Sequence, residues 1–420
     1  MVVSAVRPMS AEKHKRLQEM TNSGAAEGPL VILGANARVA GAAGRLGCPV
    51  AYVQGPDDSR VESAGDTAQY FVDYASPEFL DFVGTTLAQL KPRAVVALSE
   101  AGLWPAALAN ELLGLPGTSP ETVVTLCDKV LMRSTLVRNG ASDLSVRFAE
   151  PSDGRQAAEL VSSWPAPLEV ILKPRSGTGS RGVELIRSPA QLEQRGDLTA
   201  AIVEEYIPGQ EYSAETFSVD GSHRLVAVAE KRVAPDSFVE LGHVVPAPSL
   251  SDQDIAMVEA AVSRFLDAVD LRDGAAHTEF KIDNGSVKII ESHNRMAGDD
   301  ISVLVRLVTG FDLMQASIGW PVGQGVPPLL PTPVAEAAAI AFAVAPPGLV
   351  KSVTLPTEAA PGIRIEEVAG YVGPGDLVRA LTSSSDRAGH VIVTGPSAES
   401  AMAAAEQLAA QIDVQTMPVP

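Results

Sequence analysis

The sequence predicts a doubly wound α/β domain followed by α+β domains. At 420 residues the chain is too long for one ordinary core, which favours two or three domains or subdomains. Strands alternate with helices from Pro29 to about Leu98, a pattern typical of a parallel sheet. Short strands joined by turns follow from about Leu168, which indicates an α+β region.

The α/β part begins with the letters PLVILGANARVAGAAGRLGCPVAYV. We predict strands at Val31–Leu33, Pro49–Val53 and Ala94–Leu98, an alanine-rich helix after the first of them, and a helix at Pro77–Leu90. Gly34 follows a strand as in dinucleotide-binding folds, but Asn36 replaces the second glycine of G-x-G-x-x-G and Gln54 stands where a ribose-binding acid belongs. We therefore favour a Rossmann-like scaffold that shapes a substrate cleft over NAD binding.

The α+β part follows a helix-rich stretch at Trp104–Gly140. Its predicted strands are Leu168–Lys173, Val183–Ile186, Ala201–Tyr206, Tyr212–Val219, Leu225–Glu230, His277–Asp283, Ser286–Glu291 and His390–Thr394, with helices at Asp252–Val269 and Ala398–Ile412. The Asn284-Gly285 pair predicts a type I′ hairpin turn. A proline-rich break at Pro327–Pro333 indicates a domain boundary.

Composition and charge exclude several classes of protein. The formal net charge is -19 and no stripe of Lys and Arg appears, which argues against a nucleic-acid partner. Cys48 and Cys127 are too few for a disulfide framework or a zinc site, and we interpret them as reduced thiols. No run approaches the roughly 20 apolar residues of a membrane span, and the first 20 residues lack a signal peptide. We therefore expect a cytoplasmic protein with no membrane partner.

A glycine-rich loop follows the strand that ends at Lys173. It contains Ser176, Gly177, Thr178, Gly179, Ser180 and Gly182. Glycines let backbone N–H groups close over phosphate oxygens, and a lysine adds a point charge. The loop is not a Walker A loop, because no G-K-[ST] opens a helix. Taken by itself, the segment favours an ordinary glycine-rich hairpin over a phosphate-binding loop.

Three glutamates surround the turn at Pro208-Gly209. Glu204 and Glu205 end one strand, and Glu211 begins the next. A strand–turn–strand hinge can offer backbone groups to an adenine edge and a carboxylate to a ribose. Taken singly, each glutamate is also compatible with a solvated surface acid.

Two further acids lie on the predicted hairpin. A strict two-residue turn sets Glu279 opposite Ile290, one residue out of register with Glu291, so convergence of the two carboxylates requires a bulge or a longer loop. Converging carboxylates would repel each other, and a divalent cation such as Mg²⁺ would relieve that repulsion. Two independent surface acids remain the alternative.

These motifs together resemble the ATP-grasp superfamily. The resemblance rests on Asp128-Lys129 with Arg133, Leu172-Lys173-Pro174 with the glycine loop, Glu204–Glu211, His277-Thr-Glu279-Phe and the segment from Glu291 to Asp299. It implies an N-terminal arm (1–27), a Rossmann-like pre-ATP-grasp domain (28–125), a two-lobed nucleotide clamp (126–330) and a C-terminal lid domain (331–420). It implies ATP and Mg²⁺, expected as two ions, as cofactors.

The resemblance also implies roles for single residues. Lys129 and Lys173 would bind the α- and β-phosphates, and Ser176–Gly182 would cover the γ-phosphate. Glu204, Glu205 and the backbone of Tyr206 and Ile207 would meet the adenine, Glu211 the ribose, and Glu279 and Glu291 the Mg²⁺. Arg295 would steady the acyl-phosphate with its fixed fork of donors, so Arg295 and Lys173 are the expected catalytic residues.

One position departs from the family pattern. Many members have E-x-N-x-R after the second metal acid, whereas this chain has His293 there and Asn294 next to it. Either side chain or a water could therefore supply a third metal contact.

Within the superfamily, ESHNRMAGD and the preceding GHVVPAPS resemble the L-amino acid ligases that make dipeptides. The resemblance implies substrate contacts from His243, Asn294, Arg295 and Gly298. We expect His243 in a proline-rich loop, Ala234–Ser249, over the acyl site, although a lone loop histidine is often only exposed.

The leading hypothesis is a ligase that activates a carboxylic acid, expected to be an amino acid, as an acyl-phosphate and joins it to a second amino acid or a small amine. The region Ala339–Gly395 also resembles the lid of carboxylating and formylating ATP-grasp enzymes, so activation of formate or bicarbonate in purine or biotin-type metabolism is the alternative. A nucleotide-binding module without catalysis is disfavoured, because both lysines, both metal acids and Arg295 are present. Homodimers are common among similar proteins, and no local feature of the sequence decides the assembly.

Overall fold

The computed structural model describes residues 28–61, 67–165, 169–234, 238–324 and 334–418. The chain divides into two compact units, one of Met1–Pro120 with Met314–Pro328 and one of Glu121–Leu313 with Leu329–Pro420. The predicted N-terminal arm and the break at Pro327–Pro333 lie outside the described residues. Within the described ranges, no single helix is long and apolar enough to cross a membrane.

The first unit contains the predicted parallel sheet. Its strand order is β3 (Ala68–Phe71), β2 (Val50–Gln54), β1 (Leu30–Leu33) and β4 (Ala94–Ala97), all parallel. Its helices are α1 (Ala37–Ala43), α2 (Phe79–Phe82), α3 (Ala88–Leu90) and α4 (Glu100–Leu113), with a π-helical turn at Val83–Leu87 between α2 and α3. Every residue of β1 is buried, as expected of a central strand with both faces covered.

The side chains of Gln54 and Asn36, the two residues that depart from the dinucleotide-binding motif, form hydrogen bonds in the turn after β1. The Gln54 side chain is buried; it accepts a hydrogen bond from the Ala35 N–H (2.9 Å) and donates one to the Ala35 carbonyl (2.8 Å). The Asn36 side chain caps α1 by accepting from the Val39 N–H (3.0 Å). The two residues that depart from the dinucleotide motif therefore stabilise the turn itself.

The second unit begins with helices α5 (Pro120–Cys127) and α6 (Lys129–Arg138). A four-stranded antiparallel sheet follows, in the order β5 (Phe148–Ala149), β8 (Ala201–Glu205), β6 (Val170–Pro174) and β7 (Glu184–Ile186). Helices α7 (Gly154–Val161) and α8 (Pro189–Glu193) cover it, and Ala157, Val161 and Leu192 share its core with Val170 and Val203.

An eight-stranded antiparallel sheet forms the centre of the second unit. Its order is β13 (Ser286–His293), β12 (Gly274–Asp283), β9 (Glu211–Val219), β10 (Ser222–Val233), β11 (Glu240–Val245), β14 (Ala337–Ala343), β18 (Gly389–Gly395) and β16 (Arg364–Gly370). Helix α9 (Asp252–Ala268) packs on one half through Phe265 and Leu266, and α12 (Ala398–Ala409) packs on the other through Ala401 and Met402. Strands of the predicted clamp and of the predicted lid thus belong to one sheet.

The remaining elements are short. Helices α10 (Ile301–Thr309) and α11 (Leu313–Gly319) follow the segment from Glu291 to Asp299. A small sheet contains β17 (Leu377–Val378), β15 (Gly348–Thr354) and β19 (Asp413–Met417). These elements carry few of the local signals used above, and the sequence predicted none of the three strands.

The prediction of a loop at Ala234–Ser249 is wrong for the central part of that segment. Residues 240–245 form β11, where His243 lies opposite Lys231 of β10 and Ile340 of β14. The prolines at 246 and 248 indicated a loop. Leu241, Val244 and Val245 are nevertheless residues that favour a strand, and here the strand pairs with β10 on one side and β14 on the other. His243 is therefore a buried sheet residue and not a loop residue; residues 235–237 lie outside the described part.

Candidate active site

A cavity of about 340 Å³ opens in the second unit. It is lined by every site residue predicted from the sequence except Ser176, Gly182 and Asn294. The predicted residues that line it are Lys129, Lys173, Gly177, Thr178, Gly179, Ser180, Glu204, Glu205, Tyr206, Ile207, Glu211, His243, Glu279, Glu291, Arg295 and Gly298. Segments far apart in the chain therefore converge on one site.

The glycine loop connects β6 to β7 in a conformation that requires glycine. Gly177 has φ 145° and Gly179 has φ 68°, values that side chains with a Cβ rarely adopt. The Ser180 hydroxyl donates to the Phe238 carbonyl (2.8 Å), which ties the loop to the segment before β11. Residues 177–181 of the loop line the cavity, which is where a phosphate-covering loop is expected.

Lys173, at the end of β6, is held by a buried carboxylate. Glu204 is 3% exposed and forms ion pairs with Lys173 Nζ (2.8 Å) and Arg133 Nη2 (3.0 Å). Burial alone would raise the pKa of Glu204, but the two cations outweigh it and lower the pKa. Because this carboxylate is engaged by two cations, a contact with adenine would fall to the backbone of Tyr206 and Ile207.

Arg133 links three parts of the site and is 0% exposed. Besides Glu204, its guanidinium donates to the carbonyls of Ile289 (2.6 Å) and Ile290 (2.7 Å) on β13. The sequence showed it only as a member of the Asp128-Lys129 motif. In the structure it fixes the strand that carries Glu291.

The two predicted metal acids meet across the hairpin. Glu279 on β12 pairs with Glu291 on β13, and the register shifts between Glu279 and Phe280. This is the bulge that convergence requires, because an uninterrupted ladder from the Asn284-Gly285 turn would pair Glu279 with Ile290. The one-residue shift brings both carboxylates to the same face of the sheet.

Cations and histidines surround these carboxylates. Lys129 Nζ lies 3.0 Å from Glu291 Oε2, and Lys231 forms an ion pair with Glu279. Burial would raise both carboxylate pKa values, but Lys231 lowers the pKa of Glu279 to about 2 and Lys129 holds that of Glu291 well below its usual range. Both acids are therefore ionised at neutral pH, the form that binds metal ions.

The carboxylate pair fits Mg²⁺ better than a metal that needs a complete protein cage. Within the described residues, no three His, Cys, Asp or Glu side chains form a metal-binding group. Mg²⁺ is commonly held by one or two carboxylates together with substrate phosphates and water. Of the two candidates for a third contact, His293 lines the cavity and Asn294 does not.

Lys231 is a further residue of this cluster, and no motif in the sequence pointed to it. Lys231 is 1% exposed, and its Nζ contacts Glu211 (3.1 Å) and Glu240 (3.2 Å) as well as Glu279. Burial would lower its pKa, but the three carboxylates raise it well above its usual value, so Lys231 stays charged. It holds the predicted ribose acid and a predicted metal acid in one network.

His277 connects Glu279 to a second buried acid. Its Nδ1 lies 2.7 Å from Glu215 Oε1 and its Nε2 lies 3.2 Å from Glu279 Oε1. Burial would lower the pKa of His277, but Glu215 and Glu279 raise it to about 9. The histidine therefore orients the Glu279 carboxylate through a hydrogen bond, as residues that hydrogen-bond to metal ligands commonly do.

Comparison with known protein families assigns this architecture. Residues 166–303 match the ATP-grasp domain, and residues 341–417 match the L-amino acid ligase C-terminal domain 2. The chain therefore contains an ATP-grasp domain, followed by a C-terminal domain of the L-amino acid ligase type. The two matched regions contain the glycine loop, both predicted metal acids and most of the C-terminal strands, so the predicted fold class and family resemblance are confirmed.

Two curated relatives of this ATP-grasp protein are similar in sequence. The uncharacterised protein y4rH of Sinorhizobium fredii is 28% identical over 313 residues, which cover 72% of this chain and 64% of that protein. The alanine–anticapsin ligase of Bacillus subtilis is 28% identical over 253 residues, covering 53% of this chain and 52% of that enzyme. The chain thus spans between half and two thirds of the length of these relatives.

Solved structures share the fold over almost the whole ATP-grasp chain. The L-amino acid ligase from Bacillus licheniformis has a TM-score of 0.75 at 21% identity, covering 93% of this chain and 99% of that one. Phosphoribosylglycinamide synthetase from Anaerococcus prevotii has a TM-score of 0.71 at 18% identity, covering 93% and 100%. N5-carboxyaminoimidazole ribonucleotide synthetase from Thermotoga maritima has a TM-score of 0.68 at 15% identity, also covering 93% and 100%. At such identities the likeness establishes the fold alone.

Proposed function

We propose that this protein is an ATP-dependent carboxylate-amine ligase that joins an amino acid to a second amino acid or a small amine. The observation that carries the proposal is the pairing of Glu279 with Glu291 at a cavity that also contains Lys129, Lys173 and Arg295. This set offers cations for phosphates, carboxylates for Mg²⁺ and a guanidinium for an acyl oxygen. The match to an L-amino acid ligase domain supports amino acids as the substrates.

The proposed reaction has two steps. A carboxylate oxygen of the acid attacks the γ-phosphorus of ATP, the bond from that phosphorus to ADP breaks, and an acyl-phosphate forms. The amine nitrogen then attacks the acyl carbon, a C–N bond forms, the C–O bond to phosphate breaks, and the amine loses a proton. The products are an amide, ADP and phosphate.

The side chains of the cavity suit these two steps. Lys129 and Lys173 would neutralise phosphate charge, and Glu279 and Glu291 would hold a Mg²⁺ ion that would reduce the repulsion between the phosphates and the attacking carboxylate. Arg295 would donate to the oxygen that gains negative charge when the amine attacks. Water must be kept from the acyl-phosphate, which a covering glycine loop would help to achieve.

Two variants should separate effects on nucleotide binding from effects on the chemical step. We expect Lys173→Ala to weaken binding of Mg-ATP by about tenfold or more, because a phosphate loses a charged partner worth about 1.5–3 kcal/mol. We expect Arg295→Ala to lower kcat by about 10²–10³ and to leave nucleotide binding nearly unchanged, because its partner exists only late in the reaction. Calorimetric titration with a nonhydrolysable ATP analogue and steady-state kinetics measure the two effects.

Arg264→Ala is the matched control, because Arg264 is an exposed arginine of α9 that pairs with Asp143 outside the cavity. The control should match the wild type in both measurements. An Arg295→Ala variant that changes only the KM for ATP would contradict the role given to Arg295.

A substrate screen tests the proposed function directly. We expect phosphate release to require both an amino acid and an amine, since an amide-forming ligase protects its acyl-phosphate from water. The screen measures phosphate release with single amino acids, pairs of amino acids, bicarbonate and formate, the last two with nucleotide acceptors, and identifies products by mass spectrometry. The Glu291→Gln protein, prepared in the same way, measures the background of contaminating ATPases.

The alternative function predicts the opposite pattern. If formate or bicarbonate with a nucleotide acceptor supports turnover and no amino acid pair does, the amino acid ligase proposal fails and activation of a one-carbon acid replaces it. A dipeptide or other amide in the mass spectrum would support the proposal.

A further inference from the structure

A serine-rich turn of the C-terminal region contacts the glycine loop. We define the serine turn as Ser383–Arg387, which contains the short 3₁₀ helix Ser384–Asp386 between β17 and β18. The Ser384 N–H donates to the Gly179 carbonyl (3.3 Å), and the Arg181 guanidinium donates to the Ser385 hydroxyl (3.3 Å). A part of the molecule distant in sequence therefore holds the loop expected to cover the γ-phosphate.

The last residue of the same turn holds an acid of the cavity. Arg387 donates two hydrogen bonds to Asp299, Nη1 to Oδ2 (2.7 Å) and Nη2 to Oδ1 (2.6 Å). Its guanidinium also lies 3.7 Å from the centroid of the Phe342 ring, and the residue is 7% exposed. A stacked and bidentate guanidinium has little freedom, so its position fixes that of Asp299.

Asp299 needs such support because of its backbone. Asp299 and Asp300 are consecutive non-glycine residues with positive φ, 53° and 57°. Such conformations cost energy and persist where surrounding structure enforces them, which is common at functional sites. Asp299 lines the cavity next to Gly298, and its Oδ2 lies 3.3 Å from His243 Nε2. Arg387 thus acts through Asp299 on the segment after the second metal acid and on His243.

The serine turn is cross-linked by hydrogen bonds among its own residues and Thr382. The Asp386 carboxylate accepts hydrogen bonds from the Ser383 N–H (2.8 Å) and from the hydroxyls of Thr382 (2.9 Å) and Ser383 (3.0 Å). The Arg387 Nε donates to the Ser384 carbonyl (2.7 Å). The residue that contacts the glycine loop and the residue that holds Asp299 are therefore bonded directly to each other.

We propose that the serine turn couples the glycine loop to the acyl side of the cavity, with Arg387 as a positioning residue. When nucleotide orders the glycine loop, the turn is held in place, and through Arg387 it keeps Asp299 and His243 in their bonded arrangement. The pair of the buried Arg387 with the half-buried Asp299 fits this role, because its bidentate geometry specifies one relative arrangement of the two side chains. The acyl pocket would then be complete only when ATP is bound.

Hydrogen exchange measured by mass spectrometry tests the coupling without any acid or amine substrate. The nonhydrolysable ATP analogue AMP-PNP with Mg²⁺ is added to the wild type and to Arg387→Lys, which keeps the charge but has no fork. We expect the analogue to slow exchange in the wild type both in the glycine loop (176–182) and in the segment 294–301, the latter by about fivefold or more, the lower range of allosteric coupling. In Arg387→Lys the loop should keep its protection and segment 294–301 should lose it.

Two further variants make the result decisive. Asp299→Asn, nearly isosteric, should uncouple the two segments in the same way and serves if Arg387→Lys does not fold. Arg364→Ala removes an exposed arginine of β16 paired with Glu366 and should behave as the wild type. Equal protection of segment 294–301 in the wild type and in either uncoupling variant would overturn the proposal, as would a wild-type segment that does not respond to AMP-PNP.

The outcome is independent of the proposed reaction. AMP-PNP reports only nucleotide binding, so coupling could be observed even if the substrate screen found no amide. Conversely, an active amide ligase without coupling would reject this inference and leave the proposed function intact.

Discussion

Glu279→Gln and Glu291→Gln are each expected to lower turnover by about 10³, equal to about 4 kcal/mol of lost transition-state stabilisation. Glutamine keeps the size of the side chain and removes the charge that would hold Mg²⁺ against the phosphates. The fold should survive, because Lys231 retains Glu211 and Glu240 when Glu279 is replaced. When Glu291 is replaced, the buried Lys129 likewise keeps its electrostatic attraction to Glu204 and Glu279.

Two measurements separate loss of metal from loss of chemistry. Nucleotide binding should depend on Mg²⁺ concentration in the wild type and lose most of that dependence in both variants, whatever the substrates are. The control is Glu259→Gln, which neutralises an exposed glutamate of α9 and should change neither measurement. Wild-type turnover of either variant at ordinary Mg²⁺ would show that the assignment of the metal acids is wrong.

Arg133→Met is expected to lower the free energy of unfolding by about 3–5 kcal/mol, the usual cost of removing one partner of a buried ion pair. The substitution leaves Glu204 buried with Lys173 as its remaining ion-pair partner, and it leaves the carbonyls of Ile289 and Ile290 without their donor. Methionine fills much of the space, so the loss comes mainly from unsatisfied polar groups and not from a cavity.

Urea unfolding of the purified variant measures this effect. Arg138→Met is the matched control, because Arg138 lies on the same helix α6 but is exposed; it should change the free energy of unfolding by less than about 0.5 kcal/mol. A loss below about 1 kcal/mol in Arg133→Met, small against the cost of a broken buried pair, would mean that water or a neighbour replaces the guanidinium.

Much of the fold followed from local signals. The Asn284-Gly285 turn was predicted from two letters, and the structure has φ 46° and 75° there, both positive as a type I′ turn requires. The long helix α9 ends within one residue of its predicted end at Val269. Such elements are set by neighbouring residues, so sequence alone reveals them.

The site was predictable only where its residues belong to contiguous motifs. Glu279 and Glu291 could be named from the hairpin, although their convergence depended on a bulge that the sequence did not show. Lys231 and Arg387 could not be named, because their partners become neighbours only through strand pairing and chain folding. The roles of individual residues stay predictions until the variants above are measured.

The prediction that His243 lies in a loop was wrong for a physical reason. Nearby prolines dominated the local pattern, whereas the strand around His243 depends on a partner, β14, that lies far along the chain. Strand propensity is strongly set by tertiary neighbours, so an isolated segment of this kind is easily misjudged.

The pairing of β11 with β14 also has a consequence for synthesis on the ribosome. Val245 pairs with Ala338, so roughly 90 residues must be added after β11 before its partner emerges, which takes on the order of 5–20 seconds at about 5–20 residues per second. During that interval β11 is an open edge with unpaired backbone groups, the kind of edge that recruits other chains. We therefore expect the nascent chain to be most prone to aggregation after β11 has been made and before β14 emerges. A chaperone that shields sheet edges would matter most in that interval.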